Sequence, residues 1–205
     1  MQISVLCLPP LGANCFLVAD GKNVGIIDPA GDANTIIEAT EGLTPSGIFL
    51  THGHFDHVGA AAALRTHFSV PIYIHENDAA MVQSAEESLA VQFGFPYEGF
   101  TPDILFKDGD TLPIGGTPFT VLHTPGHTKG SACFLHEDVL FSGDTLFRGS
   151  IGIFSRENKN TMKDSVRRLL ALPEGTHVLP GHEGETTILR ERRDNPFANF
   201  DWEWE

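Results

Sequence analysis

Cysteine is scarce in this chain of 205 residues: only Cys7, Cys15 and Cys133 occur, with no C-x-x-C pair. An odd count leaves at least one thiol unpaired, so the three read as small buried hydrophobes of a protein in the reducing cytoplasm. Basic residues are also few, 13 Lys and Arg against 27 Asp and Glu, for a formal net charge of −14. That balance argues against tight non-specific binding of nucleic acid, which depends on neutralising phosphates with Lys and Arg. Long apolar runs are missing too. The longest near the middle, Val58–Leu64, falls far short of the ~20 residues of a membrane span. No basic segment opens the chain, and Pro9-Pro10-Leu11-Gly12 soon interrupts its apolar start, so no secretory signal is expected. What is present is an ordinary globular composition, 41% hydrophobic and 20% charged, which excludes wholesale disorder. Ten histidines stand out against it.

Short strands separated by Pro/Gly and Asp-Gly turns are expected at 2–8, 13–19 and 23–28. A helix with Asp32 near its N-cap follows over 32–41. Residues 47–50 form a buried strand that runs into Thr51-His52-Gly53-His54-Phe55-Asp56-His57. Helical patterns cover 58–68 and 75–93, with a strand at 72–74 between them. Further strands are expected at 104–106, 111–114, 118–123, 131–135 and 139–142, then a helix over 160–172, a strand at 176–179 and a last helix over 183–193. No linker or low-complexity stretch divides residues 1–205, so the chain is read as one α/β domain of sheets covered by helices.

His52, His54, Asp56 and His57 form a dense set of borderline-soft ligands suited to Zn²⁺ or Fe²⁺ rather than Mg²⁺ or Ca²⁺. Gly53 directly after a strand argues for a loop, in which His52 and His54 point the same way. Asp56 and His57 lie where the next helix begins and can turn toward a second ion. His127 in TPGHT, Asp144 in SGDT and His182 in LPGH each follow an apolar strand. Singly these are ordinary turn residues, but strand ends that repeatedly deliver metal-type ligands are hard to explain as turn chemistry.

The motifs THGHFDH, TPGHT, SGDTLF and PGH, in this order and spacing, resemble the metallo-β-lactamase superfamily. Within it, GDTLFRGSIG and the closing ETTILRERRDNPF are most similar to the glyoxalase II (hydroxyacylglutathione hydrolase) branch and its short bacterial forms. The resemblance implies a four-layer αββα sandwich with two divalent metal ions at one edge, zinc first, with iron or manganese as alternatives. His52, His54 and His127 match the ligands of one ion, Asp56, His57 and His182 those of the other, and Asp144 the carboxylate between them. Two dications close together need such an anionic bridge, and they lower the pKa of water toward ~7 to supply a nucleophile at neutral pH. Asp56 could also orient that nucleophile or relay its proton. Asp28 resembles the family's Asp that orients a ligand histidine, although Asp before Pro is also a common turn; Thr51 and Ser142 flank ligands and could bond to them. His123 is expected to be structural, and His67, His75, His136 and His177 to lie at the surface or at strand ends.

The departures bear on substrate. Long glyoxalase II enzymes carry a C-terminal helical domain that helps to hold glutathione, for which the stretch after His182 leaves no room. Where the resemblance implies a basic residue for glutathione's carboxylate stands Ile153, with Arg148 or Arg156 as replacements. The reading is a dinuclear metallohydrolase acting on a small acyl thioester such as S-lactoylglutathione, partnered by neither nucleic acid nor membrane. The alternatives are an ester or lactone hydrolase on the same metals and a persulfide dioxygenase with one iron. A non-catalytic binding module is disfavoured because no ligand is lost.

Overall fold

The computed structural model describes residues 1–200 and 202. Strands β1 (Gln2–Leu8), β2 (Ala13–Asp20) and β3 (Asn23–Ile27) run antiparallel, turning at the Pro-Pro and Asp-Gly positions. Helix α1 (Ala33–Ala39), its first turn capped by Asp32 on the Asn34 N–H, leads to β4 (Thr44–Phe49), parallel to β3. Two short helices, α2 (Phe55–Val58) and α3 (Ala61–Phe68), precede β5 (Ile72–His75), and β6 (Ile104–Phe106) completes a sheet ordered β1-β2-β3-β4-β5-β6. The second sheet begins with the meander β7 (Thr111–Ile114), β8 (Thr117–His123), β9 (Ala132–His136) and β10 (Val139–Gly143). A small hairpin, β11 (Leu146–Phe147) with β12 (Ser150–Ile151), and helix α4 (Lys159–Leu170) then lead to β13 (His177–Pro180), parallel to β10. Edge strand β14 (Thr186–Thr187) and helix α5 (Ile188–Asp194) follow, giving the order β14-β13-β10-β9-β8-β7.

Period-two alternation sorts the side chains into layers. On β2, Phe16 and Val18 face the second sheet and pack with Phe49, Phe119, Phe134 and Phe141, while Cys15 and Leu17 face the other way with Ile36 of α1 and Leu64 of α3. On β10, Phe141 points inward, whereas Leu140 packs outward with Val178, Met162, Val166 and Leu169 under α4. Three apolar cores therefore separate four layers, helix–sheet–sheet–helix. This is the expected αββα sandwich.

The structure corrects the expected elements in several places. Residues 75–93 form no long helix: only two 3₁₀ turns occur, at Glu76–Asp78 and Met81–Gln83, before irregular turns. The chain cannot continue helically because Ser84 is extended and Leu89 takes a left-handed φ of 68°. The expected helix over 58–68 is split into α2 and α3, since the Ala60 N–H bonds to the Pro29 carbonyl instead of continuing the helical ladder. The last helix starts at Ile188, capped by Thr187, because Glu183 is left-handed and 186–187 pair as β14. The β11–β12 hairpin was not expected. Cys7 is exposed, not buried, while Cys15 and Cys133 are buried. His75, expected at the surface or at a strand end, closes β5 and is buried there, stacked on His123 with ring centroids 4.0 Å apart.

Candidate metal centre

The loop after β4 carries His52 and His54, and α2 carries Asp56 and His57, so the first sheet supplies these four. From the second sheet come His127 after β8, Asp144 directly after β10, and His182 after β13. All seven sequence-expected ligands meet at one edge of the sandwich. His54 Nδ1 lies 2.9 Å from His127 Nε2, and His57 Nε2 lies 3.1 Å from His182 Nε2. Two nitrogens on one tetrahedral ion at ~2.0–2.1 Å stand about 3.3 Å apart, so both spacings suit shared coordination. The groups able to hold an ion include His52, His54 and His127 on one side and Asp56, His57 and His182 on the other.

The histidine tautomers are set from behind. His57 donates from Nδ1 to Asp28 Oδ2 at 3.1 Å. Thr51 donates from Oγ1 to the same carboxylate at 2.6 Å and so accepts from His52 Nδ1 at 3.1 Å. His127 donates from Nδ1 to the Ile153 carbonyl at 2.7 Å. Each bond leaves an Nε2 lone pair facing inward, as ligation requires. His52 Nε2 is buried with no hydrogen-bond partner, as is Asp144 Oδ1. Such orphans are costly in a native fold, and a cation between them removes the cost.

Asp144 links the two groups. Its Oδ1 is 3.4 Å from His57 Nε2, while its Oδ2 is 3.5 Å from His127 Nε2 and 3.6 Å from His182 Nε2. The Asp56 carboxylate is 3.3 Å from His182 Nε2. Burial pushes His52 well below 6.5, with neighbouring histidines adding to it, and pushes His54 down to about 3. His57 goes the other way: burial opposes its cation, but Asp144, Asp28 and Asp56 outweigh that and hold it up to about 10. Burial would raise Asp56, yet the His182 hydrogen bond and the His57 charge bring it down to about 2. His52 and His54 are held neutral, and the carboxylates that favour a proton on His57 would equally favour a metal ion in its place, so the cluster is a cation-seeking donor set. At Gly181 even a methyl group would meet Asp144 Oδ1 and the His57 ring, so the backbone there leaves room for the ligands alone.

Two supporting residues escaped the sequence reading. Asp78 is fully buried and accepts from the Gly53 N–H (3.1 Å), the Gly130 N–H (2.7 Å) and the Thr128 hydroxyl (2.7 Å), tying the His52–His54 loop to the His127 loop. Asn14 on β2 donates to the Pro180 and Glu183 carbonyls and fixes the His182 turn from the opposite sheet. A lone amide in the apolar run ANCFLVA was a usable signal; Asp78 offered none. Asp28 does orient His57, in a left-handed conformation (φ 49°) that Asp tolerates. Ser142 does not reach a ligand, because its hydroxyl is used on the Leu146 carbonyl at 2.8 Å. A cavity of about 560 Å³ opens over Asp56, Asp144 and His182. Arg148 and Arg156 are exposed and line none of it.

A profile described as the metallo-beta-lactamase superfamily matches residues 8–182. The chain is 40% identical to the hydroxyacylglutathione hydrolase GloC of Haemophilus influenzae over 210 residues, covering 97% of this chain and 99% of that one. Among solved structures, the BLEG-1 B3 metallo-beta-lactamase superposes with a TM-score of 0.90 at 37% identity, over 96% of this chain and 99% of the other. TTHA1623, in a di-iron-bound form, superposes with a TM-score of 0.85 at 37% identity, over 95% and 99%.

Proposed function

The chain belongs to the metallo-β-lactamase superfamily, and on that footing we propose that it is a dinuclear metal-dependent hydrolase of acyl thioesters. The observation that carries this reading is the Asp144 carboxylate, set between two ligand groups with one oxygen toward His57 and the other toward His127 and His182. In this reading His52, His54 and His127 hold one ion, Asp56, His57 and His182 hold the other, and Asp144 serves both. A histidine-rich set with few carboxylates suits zinc, with iron or manganese as alternatives. The 40% identity to a hydroxyacylglutathione hydrolase supports a thioester carbonyl as the target.

Two divalent ions held there would bring the pKa of water down toward ~7 and polarise the carbonyl under attack. The protein's own residues do the rest. Asp28 and Thr51 fix the inward tautomers of His57 and His52, and the Ile153 carbonyl does the same for His127. Asp56 faces the cavity and stays anionic, so it can orient the attacking water and pass its proton toward the leaving sulfur. A C–O bond forms, the C–S bond breaks, and carboxylate and thiol leave without any redox partner. Three free thiols, two of them buried, support a cytoplasmic location.

The test is metal analysis of the purified protein joined to a hydrolysis screen over thioesters, lactones, β-lactams and phosphodiesters. Two ions per chain with thioester cleavage are expected. One ion per chain, or two ions with every thioester untouched, rejects the reading.

A further inference from the structure

The cavity over the ligands is polar at its floor, where His54, Asp56, His127, Asp144 and His182 lie, and at one side, where Ser155 and Asn158 line it. Its remaining walls include Leu11, Leu89, Phe93, Phe147, Ile153 and Phe154; the Asn158 amide is engaged by the Gly126 carbonyl, and among the described residues no lysine or arginine lines the cavity. Several of these walls stand open to solvent at the mouth: Leu11 is 47% exposed, Phe93 57% and Ile153 86%. Large apolar side chains kept in water beside a concave site mark a surface that a ligand covers. A glutathione thioester carries two carboxylates and an ammonium, and among the described residues no cationic side chain of the lining offers a carboxylate an ion pair. Desolvating such a charge without a partner is unfavourable.

We propose, resting on the thioester reading above, that the site selects neutral, apolar acyl thioesters: the carbonyl sits over the ligand cluster and an uncharged chain lies along Leu89, Phe93 and Ile153. Each methylene moved from water onto these walls adds about 4-fold to affinity. Affinity therefore rises with chain length, and a charged thiol portion, drawn against the apolar rim without a cationic partner, weakens binding.

Binding to the metal-loaded protein is measured by calorimetry with thioethers, which are not cleaved. S-alkyl N-acetylcysteamines from ethyl to hexyl are compared with S-hexylglutathione, and kcat/KM is measured for the matching thioesters. The expected result is a rise of about 4-fold per methylene, with the neutral hexyl thioether at least about 10-fold tighter than S-hexylglutathione. Phe93→Ser, at an exposed position where folding is not at stake, is expected to flatten the series. Ile153→Lys is expected to tighten S-hexylglutathione at least about 10-fold by supplying a partner for its carboxylate. Hexyl binding no tighter than ethyl, or S-hexylglutathione matching the neutral hexyl compound, overturns the proposal even if thioesters are hydrolysed. A steep neutral series with no thioester cleaved upholds the apolar site and removes the hydrolase reading instead.

Discussion

Asp144 lies between both ligand groups, one oxygen toward His57 and the other toward His127 and His182, which makes it harder to replace than any terminal histidine. Water can partly fill a vacated terminal position, but it cannot supply a shared negative charge. Loss of residues that merely orient ligands costs about 10–100-fold in metal affinity or activity, so Asp144→Ala is expected to exceed 100-fold in kcat/KM and to reduce metal content. Comparing it with His54→Ala and His182→Ala checks the ranking; near-normal activity with both ions retained would sink it. Asp78 gives a second expectation at this scale. Removing its carboxylate orphans the buried Gly53 and Gly130 N–H groups, at about 1–3 kcal/mol for each group left unsatisfied, while the Thr128 hydroxyl keeps its bond with Ser131. Asp78→Ala should therefore lower the stability of the metal-free protein by about 2–6 kcal/mol and weaken metal binding about 10–100-fold, with Asp78→Asn in between. Urea unfolding and a competitive metal titration measure the two effects. The ligands were legible in the sequence because their chemistry belongs to the side chain, wherever it lies. Asp78 was not, because its work consists of contacts with residues 25, 50 and 52 positions away, which only the folded chain brings close.

The elements divide along the same line. Strands such as β2 and β8 were legible because alternation is local and each face meets a core. The stretch 75–93 misled because Met81, Val82, Ala85 and Leu89 recur at helical spacing, while the backbone is claimed by loop contacts, among them the Tyr97 hydroxyl on the Val82 carbonyl and the Phe55 N–H on the Ser88 carbonyl. Tertiary demand overrode periodicity there. The end of β5 carries a consequence for pH. His75 stacks on His123 of β8, joining the two sheets, and accepts the Asn77 N–H on Nδ1. Burial, and then the His123 charge, push its pKa down to about 4, against the pull of Glu76, Asp108 and Asp110. The unfolded chain, with an ordinary value of 6.5, binds more protons between those limits, so stability is intact above pH 6.5 and falls as the pH drops toward 4. His75→Asn is expected to flatten that acid-side loss, measured as unfolding midpoints from pH 7 to 4.5. A parallel fall in wild type and variant would show that other groups set the slope.

Across the whole molecule, the two sheets meet through an apolar core but share the ligand set at their edge: the first contributes His52, His54, Asp56 and His57, the second His127, Asp144 and His182. Ions bound there fasten one sheet to the other at the place where loops replace strands. The layered architecture was legible from strand and helix patterns, and the resemblance to the family placed the ions at the edge where the loops of the two sheets meet; which side chains face each other across that edge, His54 with His127 and His57 with His182, only the fold brings out. Because the ligand atoms converge in the folded chain and disperse in the unfolded one, binding adds directly to stability. An ion at 1,000 times its dissociation constant contributes about 4 kcal/mol, and 1 kcal/mol shifts the midpoint of a chain this size by about 2–4 °C. Removing the ions with a chelator should therefore lower Tm by about 10 °C, and adding zinc back should restore it. Hydrogen exchange should locate the loosening in the His52–His57, His127 and His182 loops, with the sheet cores unchanged. A Tm indifferent to chelation, in protein proven to have lost its metal, would mean that the apolar core alone aligns the sheets and that the seven side chains are poised without being fastened.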